Sequence, residues 1–268
     1  VRPPTHTGFG ARLIDMGLVK PAGRLQGKRG QPAMRIVIDP DGAFSIGLNI
    51  DRDHITLETL DLAGKIRSRH TREIAFALPG TVVDHVRDIL PGLLEEGGVD
   101  RTRILGVGVA LPDDLGRISL PHRPAEYDAW DGIDLGALLG EVLPWPLHAD
   151  NDAASAALGE VHLGNGIALP SFFYLLISAG LGGGLVIDSH LRSGGAGNAG
   201  AVGSMSVGLG GADGAPPPQL LSVASLFTLE ALYTQAGLDV GAAADARSLA
   251  PPWLAVTRAW MQQMSPAI

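Results

Sequence analysis

The chain has 268 residues, of which 46% are apolar, and its formal net charge at pH 7 is −8. This apolar content suffices for a buried core and argues against an intrinsically disordered chain. The absence of cysteine excludes disulfides and thiolate metal sites, and no apolar run approaches the ~20 residues that span a bilayer. With no signal-peptide pattern at the N-terminus, we expect a cytoplasmic protein.

The charge is unevenly distributed. Residues 1–35 carry seven Lys or Arg and one acid, whereas residues 36–268 carry 13 Lys or Arg and 27 Asp or Glu. A basic head on an acidic body is what a nucleic-acid-binding appendage would show, because only the head would neutralise phosphates. A basic disordered tail would give the same pattern, so charge alone leaves both interpretations open.

The head is predicted to hold one helix and two strands. Apolar residues at helical spacing predict a helix over about Gly8–Met16, and Gly17 is the expected C-cap. An extended segment follows from Leu18, then a basic, turn-rich loop and an apolar strand at Met34–Ile38. This order is typical of the end of a winged helix-turn-helix, in which the basic loop would be the wing.

The body begins as a β-meander and continues with alternating helices and strands. A turn is expected at Asp51–Asp53, between the first two strands. The alternation predicts an α/β fold with a mixed sheet. The expected strands are Phe44–Ile50, His54–Asp61, Lys65–Ala75, Ile104–Ala110, one ending near Asp150, Phe172–Ile177 and Gly184–Ile187, and the expected helices are Val82–Glu95, Leu135–Leu143, Ala153–Gly159 and Leu220–Gln235.

The clearest local motif is a strand, a glycine loop and a second strand over Tyr174–Ile187. Four glycines within five positions would let backbone N–H groups approach a phosphate or a sugar closely. The alternative is a tight hairpin that needs glycine for its backbone conformation and binds nothing. The four residues are Gly180, Gly182, Gly183 and Gly184.

A second motif lies at the junction of a strand and a small-residue helix, over His148–Glu160. The Asp152 carboxylate could accept a proton from a sugar hydroxyl that the Asn151 amide orients. The alternative interpretation is ordinary helix capping by Asn or Asp.

Taken in order, these segments resemble the ROK (repressor, open reading frame, kinase) family. The resemblance is carried by AMRIVIDPDGAFSIGLNIDRDHITLETLDLAGKI, ILGVGVALPDDLGRI, the run ending HADNDAASAALGE, and SAGLGGGLVIDSHLRSGGAGNAGAVG. RLIDMGLVKPAGRLQGKRGQPA resembles the end of the winged helix that the regulator branch carries.

The resemblance implies an actin-like ATPase (ribonuclease H-like) fold of two lobes, preceded by a partial winged helix-turn-helix. The implied domains are a DNA-binding segment at 1–35, a first lobe at 36–155 and an incomplete second lobe at 156–268.

The resemblance also implies site residues, and this chain departs from several of them. It places the catalytic base at Asp152 and sugar contacts at Asn151, Asp152 and Asn198. The family's phosphate loop reads Asp, one apolar residue, Gly-Gly-Thr, whereas this chain has Asn49-Ile50-Asp51-Arg52-Asp53. Negative charge in place of glycine would repel phosphates. Ala179 also lacks the hydroxyl usual in the second phosphate motif, which argues against ATP and magnesium binding.

Two further family positions have changed. Ala201 replaces the sugar-binding Glu, and Ser204 replaces the His that contacts the sugar and ligates zinc. The family's cysteine cluster is absent. Zinc binding in the family mode is therefore excluded, and no cofactor is expected.

These observations predict a transcriptional regulator, without kinase activity, that senses a sugar or sugar phosphate. Arg12, Lys28 and Arg29 are the expected DNA contacts, and a homodimer is expected from the resemblance. The alternatives are a ROK sugar kinase, in which Asp152 would be the base, and a non-catalytic, truncated remnant.

Overall fold

The computed structural model describes residues 6–24, 34–113, 115, 125–208, 217–241 and 246–268. These residues group into two compact units, with the boundary in the main chain between Asp150 and Asn151. Within the described residues, no helix is long and apolar enough to cross a membrane.

The first unit begins with a helix and a hairpin. Gly17 adopts a positive φ of 71° and ends the helix, as predicted, with the Leu18 amide donating to the Leu13 carbonyl oxygen. The two strands are antiparallel, and Val19 pairs with Ile38. The predicted helix and strands are therefore observed, while Lys28 and Arg29 lie outside the described residues. The elements are α1 (His6–Asp15), β1 (Val19–Arg24) and β2 (Met34–Ile38).

The rest of the first unit is built on a five-stranded mixed sheet of order β5-β4-β3-β6-β7. Strand β3 pairs antiparallel with β4 and parallel with β6, which confirms the predicted mixed sheet. The elements are β3 (Phe44–Ile50), β4 (His54–Asp61), β5 (Ile66–Glu73), α2 (Pro79–Glu96), β6 (Ile104–Leu111), α3 (Leu135–Leu139) and β7 (Leu147–Asn151).

Alternate residues of the central strands are buried because the side chains of a strand alternate between its two faces. Ile46 and Leu48 of β3 and Leu57 of β4 belong to this core, and α2 contributes Val82 and Val86. Helix α3 is shorter than predicted. Its last residue is Leu139 and its C-cap is Gly140, and Pro144 disfavours a helical conformation at Leu143, where the predicted helix would have ended.

The second unit contains a three-stranded sheet of order β10-β9-β8, on which α4 packs. The helix predicted over Leu220–Gln235 is interrupted: Ser225 is extended, and its Oγ accepts a hydrogen bond from the Thr228 amide. Leu229, Tyr233 and Trp260 form a buried cluster between the last two helices. The elements are α4 (Asp152–Leu163), β8 (Phe172–Ile177), β9 (Leu181–Ile187), β10 (His190–Leu191), α5 (Leu221–Ala224), α6 (Leu226–Gln235) and α7 (Trp253–Met264).

Candidate functional site

The turn between β3 and β4 occupies the position where the sequence resemblance expects a phosphate loop. The Asp51 amide donates to the His54 carbonyl oxygen at 2.9 Å and closes the predicted turn. The Asp51 side chain turns inward and is only 6% exposed, and its Oδ1 accepts a 2.7 Å hydrogen bond from the Arg52 amide. We call residues 51–54 the acidic turn.

The remaining side chains of the acidic turn pair with one another. His54 Nδ1 lies 2.7 Å from Asp53 Oδ1, and Arg52 Nη2 lies 3.7 Å from Asp53 Oδ2. On the other side of the ring, His54 Nε2 lies 3.1 Å from the side-chain nitrogen of Asn49, Nδ2. Arg52 and His54 therefore both offset the charge of Asp53.

The environment of the acidic turn shifts the pKa values of its two carboxyl groups in opposite directions. Burial raises the pKa of Asp51, because it disfavours the charged form. Burial acts in the same direction on Asp53, but the hydrogen bond and charge of His54, together with Arg52, lower the pKa of Asp53 overall. The same hydrogen bond raises the pKa of His54.

Asn151 and Asp152 lie at the first turn of α4 in the second unit. Asn151 is the N-cap residue, and its Oδ1 accepts a 3.1 Å hydrogen bond from the Ala154 amide. Asp152 Oδ1 accepts a 2.7 Å hydrogen bond from the Ala153 amide. The capping interpretation is therefore observed at Asn151. Contact of either residue with a sugar stays a prediction.

The prediction of a glycine loop at Gly180–Gly184 is wrong for Gly182 and Gly183, because the strand that was predicted to begin at Gly184 begins at Leu181. Gly182, Gly183 and Gly184 lie within β9, and only Gly180 belongs to the hairpin turn. None of the four has a positive φ, so the turn does not require glycine for its backbone conformation.

These strand glycines are required by close packing. A Cβ on Gly182 would lie 2.9 Å from the Ala153 Cβ, and one on Gly184 would lie 2.4 Å from the Ala157 Cβ, both on α4. A Cβ on Gly183 would lie 2.6 Å or less from the Phe173 ring. The glycines thus let α4 lie directly on β9.

Asn198, the third predicted sugar contact, is exposed and lies in a turn after β10. Its carbonyl oxygen accepts a 3.0 Å hydrogen bond from the Ala201 amide. The Ser204 hydroxyl donates to the Ala201 carbonyl oxygen at 3.1 Å, so the two positions that depart from the family motif contact each other.

The second unit brings two of the predicted motifs to one strand. Asp152 Oδ1 would lie 4.0 Å from a Cβ on Gly182, which places the start of α4 beside the start of β9. The segment after Asn198 reaches the same strand, since a Cβ on Gly200 would collide with the Gly183 carbonyl oxygen.

Sequence reasoning missed two features of the first unit. It treated Asp51 and Asp53 as charges and overlooked His54, although the Asp-x-Asp-His spacing carried the signal. It also missed the contact between the head and the sheet, where Gly42 lies against Gly17. No local sequence pattern predicts that contact, because the two glycines are far apart in the chain.

Comparison with known proteins identifies the family of the chain and relates its fold to solved structures. The model of the ROK family matches residues 45–219. Among curated relatives, the xylose repressor of Bacillus subtilis is 24% identical over 203 residues, which cover 74% of this chain and 52% of the repressor. The glucokinase of Aeropyrum pernix is 36% identical over 138 residues, covering 49% of this chain and 41% of the kinase. The chain spans about half the length of the curated relatives it matches.

A solved ROK family transcriptional regulator, a homologue of the Escherichia coli Mlc protein, superposes with a TM-score of 0.61. It is 22% identical, and the match covers 87% of this chain and 60% of that one. At this identity the likeness shows the fold alone, and it confirms the predicted α/β, actin-like ATPase fold.

Proposed function

Since the chain belongs to the ROK family, we propose that it is a transcriptional regulator that responds to a sugar or sugar phosphate and has lost kinase activity. The family matches include both repressors and sugar kinases, so the choice depends on the residues of this chain.

The observation that carries the proposal is the acidic turn. A phosphate loop needs backbone N–H groups that a phosphate can approach and an absence of negative charge. Here the Arg52 amide is already engaged by the Asp51 carboxylate, and Asp53 places a second carboxylate in the turn. Asn49 presents an amide where the family's magnesium carboxylate would stand. These features oppose binding of an ATP–magnesium complex.

The proposed DNA contacts lie in the head. Arg12 is exposed on α1, and the hairpin of β1 and β2 follows that helix in the order of a winged helix. Arg and Lys side chains in such a wing contact DNA phosphates or the minor groove. We extend this role to Lys28 and Arg29 on the basis of the sequence.

The proposed sugar contacts are Asn151, Asp152 and Asn198 in the second unit. An amide and a carboxylate at the start of one helix are suited to orient sugar hydroxyls and to accept the hydrogen bonds that those hydroxyls donate. Because Ala201 and Ser204 replace two family contacts, we expect weaker sugar binding than in the family's kinases, by ~1.5–3 kcal/mol for each lost charge-assisted hydrogen bond.

Calorimetric titration with a panel of sugars and sugar phosphates, with and without ATP and magnesium, tests the sensor proposal. Sugar binding that is indifferent to ATP supports it. Binding that is unchanged in the Asn151→Ala and Asp152→Asn variants would contradict the assigned site. Glu230→Gln is a matched control, because Glu230 is an acidic residue on α6, far from this motif in the chain.

The alternative function is a sugar kinase, which the retained Asp152 favours. It predicts sugar phosphorylation that depends on ATP and magnesium and is lost in the Asp152→Asn variant. Sugar phosphorylation by the wild-type protein would contradict the proposal that kinase activity has been lost.

DNA binding is tested by selection from a pool of random duplexes, followed by anisotropy titrations of the selected duplex. The Arg12→Ala variant should bind more weakly and show a smaller salt dependence. Arg87→Ala is the control, because Arg87 is an exposed arginine on α2 that pairs with Asp84. Equal affinities of the two variants would contradict the role of Arg12.

A further inference from the structure

A short segment joins the head to the first sheet. It comprises residues 39–43, between β2 and β3, and we call it the joint. Its centre is a 3₁₀ turn over Pro40–Gly42, and Arg103, the residue immediately before β6, contacts it. We propose that Arg103 is a positioning residue that fixes the head to the first sheet at the joint and thereby orients the head toward DNA. This inference rests on the DNA binding proposed above.

The backbone of the joint is held by hydrogen bonds at three points. The Gly42 amide donates to the Asp39 carbonyl oxygen at 2.9 Å and closes the turn. The Leu62 amide, which follows β4, donates to the Pro40 carbonyl oxygen at 3.2 Å. The Asp39 amide donates to the Leu18 carbonyl oxygen, just before β1, at 3.0 Å. Because these bonds tie the joint to the sheet on one side and to the head on the other, it is an ordered connection and differs from a flexible linker.

The Arg103 side chain contacts both the joint and the head. Its Nη1 donates to the Asp41 carbonyl oxygen at 3.0 Å and lies 3.5 Å from the Gly42 carbonyl oxygen. A Cβ on Gly17, the residue that ends α1, would lie 3.4 Å from Nη1 and 3.6 Å from Nη2. Asp100 Oδ2 lies 3.8 Å from Arg103 Nε. The planar guanidinium therefore connects the start of β6 with the joint and with the end of the head helix.

Two further ion pairs support the joint, each from one side. Lys20 Nζ of the head lies 3.0 Å from Asp39 Oδ1, but the Lys20 side chain is 53% exposed, and exposed pairs contribute little to stability. Arg67 Nη1 of β5 lies 2.7 Å from Asp41 Oδ1, which ties the joint to the sheet. Since the contacts of Arg103 span both sides, its removal should loosen the head more than the loss of either pair.

A fixed head changes the energetics of DNA binding without adding a contact to DNA. A loosely attached head must be ordered when it binds, and the entropy lost in that ordering weakens the complex. Arg103 avoids this loss by holding α1 and the hairpin against the sheet before DNA arrives. Because it acts through the joint and does not contact phosphate, its removal should lower the affinity and leave the salt dependence of binding unchanged.

Time-resolved fluorescence anisotropy of the full chain tests the joint without sugar or DNA. The chain has no cysteine, so Phe9→Cys, at a position of α1 that is 61% exposed, carries a single fluorophore on the head. Adding Arg103→Ala should enlarge the fast, nanosecond part of the decay, because the head then moves independently of the sheet. Arg101→Ala is the matched control, since Arg101 lies in the same 3₁₀ turn and its Cζ lies 5.2 Å from the centroid of the Trp145 ring. A decay that Arg103→Ala leaves unchanged would overturn the proposal.

Titration of the selected duplex at several salt concentrations separates positioning from direct contact. Arg103→Ala should weaken binding by roughly 10-fold, with the same salt slope as the wild type and as Arg101→Ala. A salt slope that is smaller by about one would show that Arg103 itself contacts a phosphate, and would overturn the positioning role. Arg103→Lys keeps the charge but lacks the planar fork, so it should not restore the affinity.

The two measurements fail independently. If the wild type selects no duplex, the regulator function fails, and the anisotropy decay still decides whether Arg103 fixes the head. If the decay is unchanged, the role of Arg103 fails, and the proposed DNA binding stands. Arg103→Lys replaces Arg103→Ala in both measurements if circular dichroism shows the alanine variant to be unfolded.

Discussion

The contact between Gly42 and Gly17 makes the attachment of the head to the sheet sensitive to a single methyl group. A Cβ on Gly42 would lie 2.4 Å from the Gly17 carbonyl oxygen and 3.0 Å from the Leu18 Cα. Both neighbours are backbone atoms, so no side chain can rotate away. We therefore predict that Gly42→Ala destabilises the first unit.

The expected magnitude follows from the displacement that the methyl group requires. Real Cβ atoms essentially never come within 3.0 Å of another heavy atom, so the two segments must separate by about 0.6 Å. The hydrogen bond from the Asp39 amide to the Leu18 carbonyl oxygen, at 3.0 Å, would lengthen with them. Overpacking of this kind costs about 1–3 kcal/mol of unfolding free energy.

Urea unfolding followed by tryptophan fluorescence measures this loss. Gly92→Ala is the matched control, because a Cβ on Gly92 meets nothing within 4 Å and the residue lies in the interior of α2. Removing a helical glycine should stabilise the control by roughly 0.5–1 kcal/mol. A Gly42→Ala variant as stable as the wild type would refute the argument from close packing.

Three further predictions concern stability. Burial lowers the pKa of His85, so as pH falls below about 6.5 this histidine takes up a proton in the unfolded chain before it does so in the folded chain. The unfolding free energy, measured by urea midpoints, should therefore fall more steeply from pH 7 to 5 in the wild type than in His85→Leu. Gly184→Ala should lower the unfolding free energy by about 1–3 kcal/mol, because the new Cβ would lie 2.4 Å from the Ala157 Cβ. The double variant Gly184→Ala/Ala157→Gly should lose less unfolding free energy than the sum of the two single variants. Tyr233→Phe removes a buried 2.6 Å hydrogen bond to Thr257 Oγ1 and should lower the unfolding free energy by about 1 kcal/mol; an unchanged urea midpoint would show that the bond contributes nothing net.

The strands of the first sheet could be predicted from the sequence because their signal is local. Phe44–Ile50 and His54–Asp61 have the bounds that the sequence pattern predicts, since alternation of apolar residues reports which face of a strand is buried. The family and its fold were likewise recognisable from motifs in order along the chain. Helix α6 was predicted in type, but its separation from α5 at Ser225 was not, because a serine within an apolar helical pattern also fits an exposed helical position.

The site was predicted less completely. Asn151 and Asp152 were placed correctly at the junction of a strand and a helix, whereas Gly182 and Gly183 were assigned to a loop and lie in a strand. Glycine frequency in a sequence does not distinguish a loop that receives a ligand from a strand that receives a helix.

What the sequence by itself determined is the order of the elements, the family, and the residue types at each site position. Tertiary structure alone decided that Gly184 makes room for Ala157, that Gly42 makes room for Gly17, and that the Asp51 carboxylate turns into the protein. The physical reason is that a sequence pattern reports the periodicity and polarity of one segment. The closest approach of two segments, and the burial of a charge between them, depend on atoms far apart in the chain.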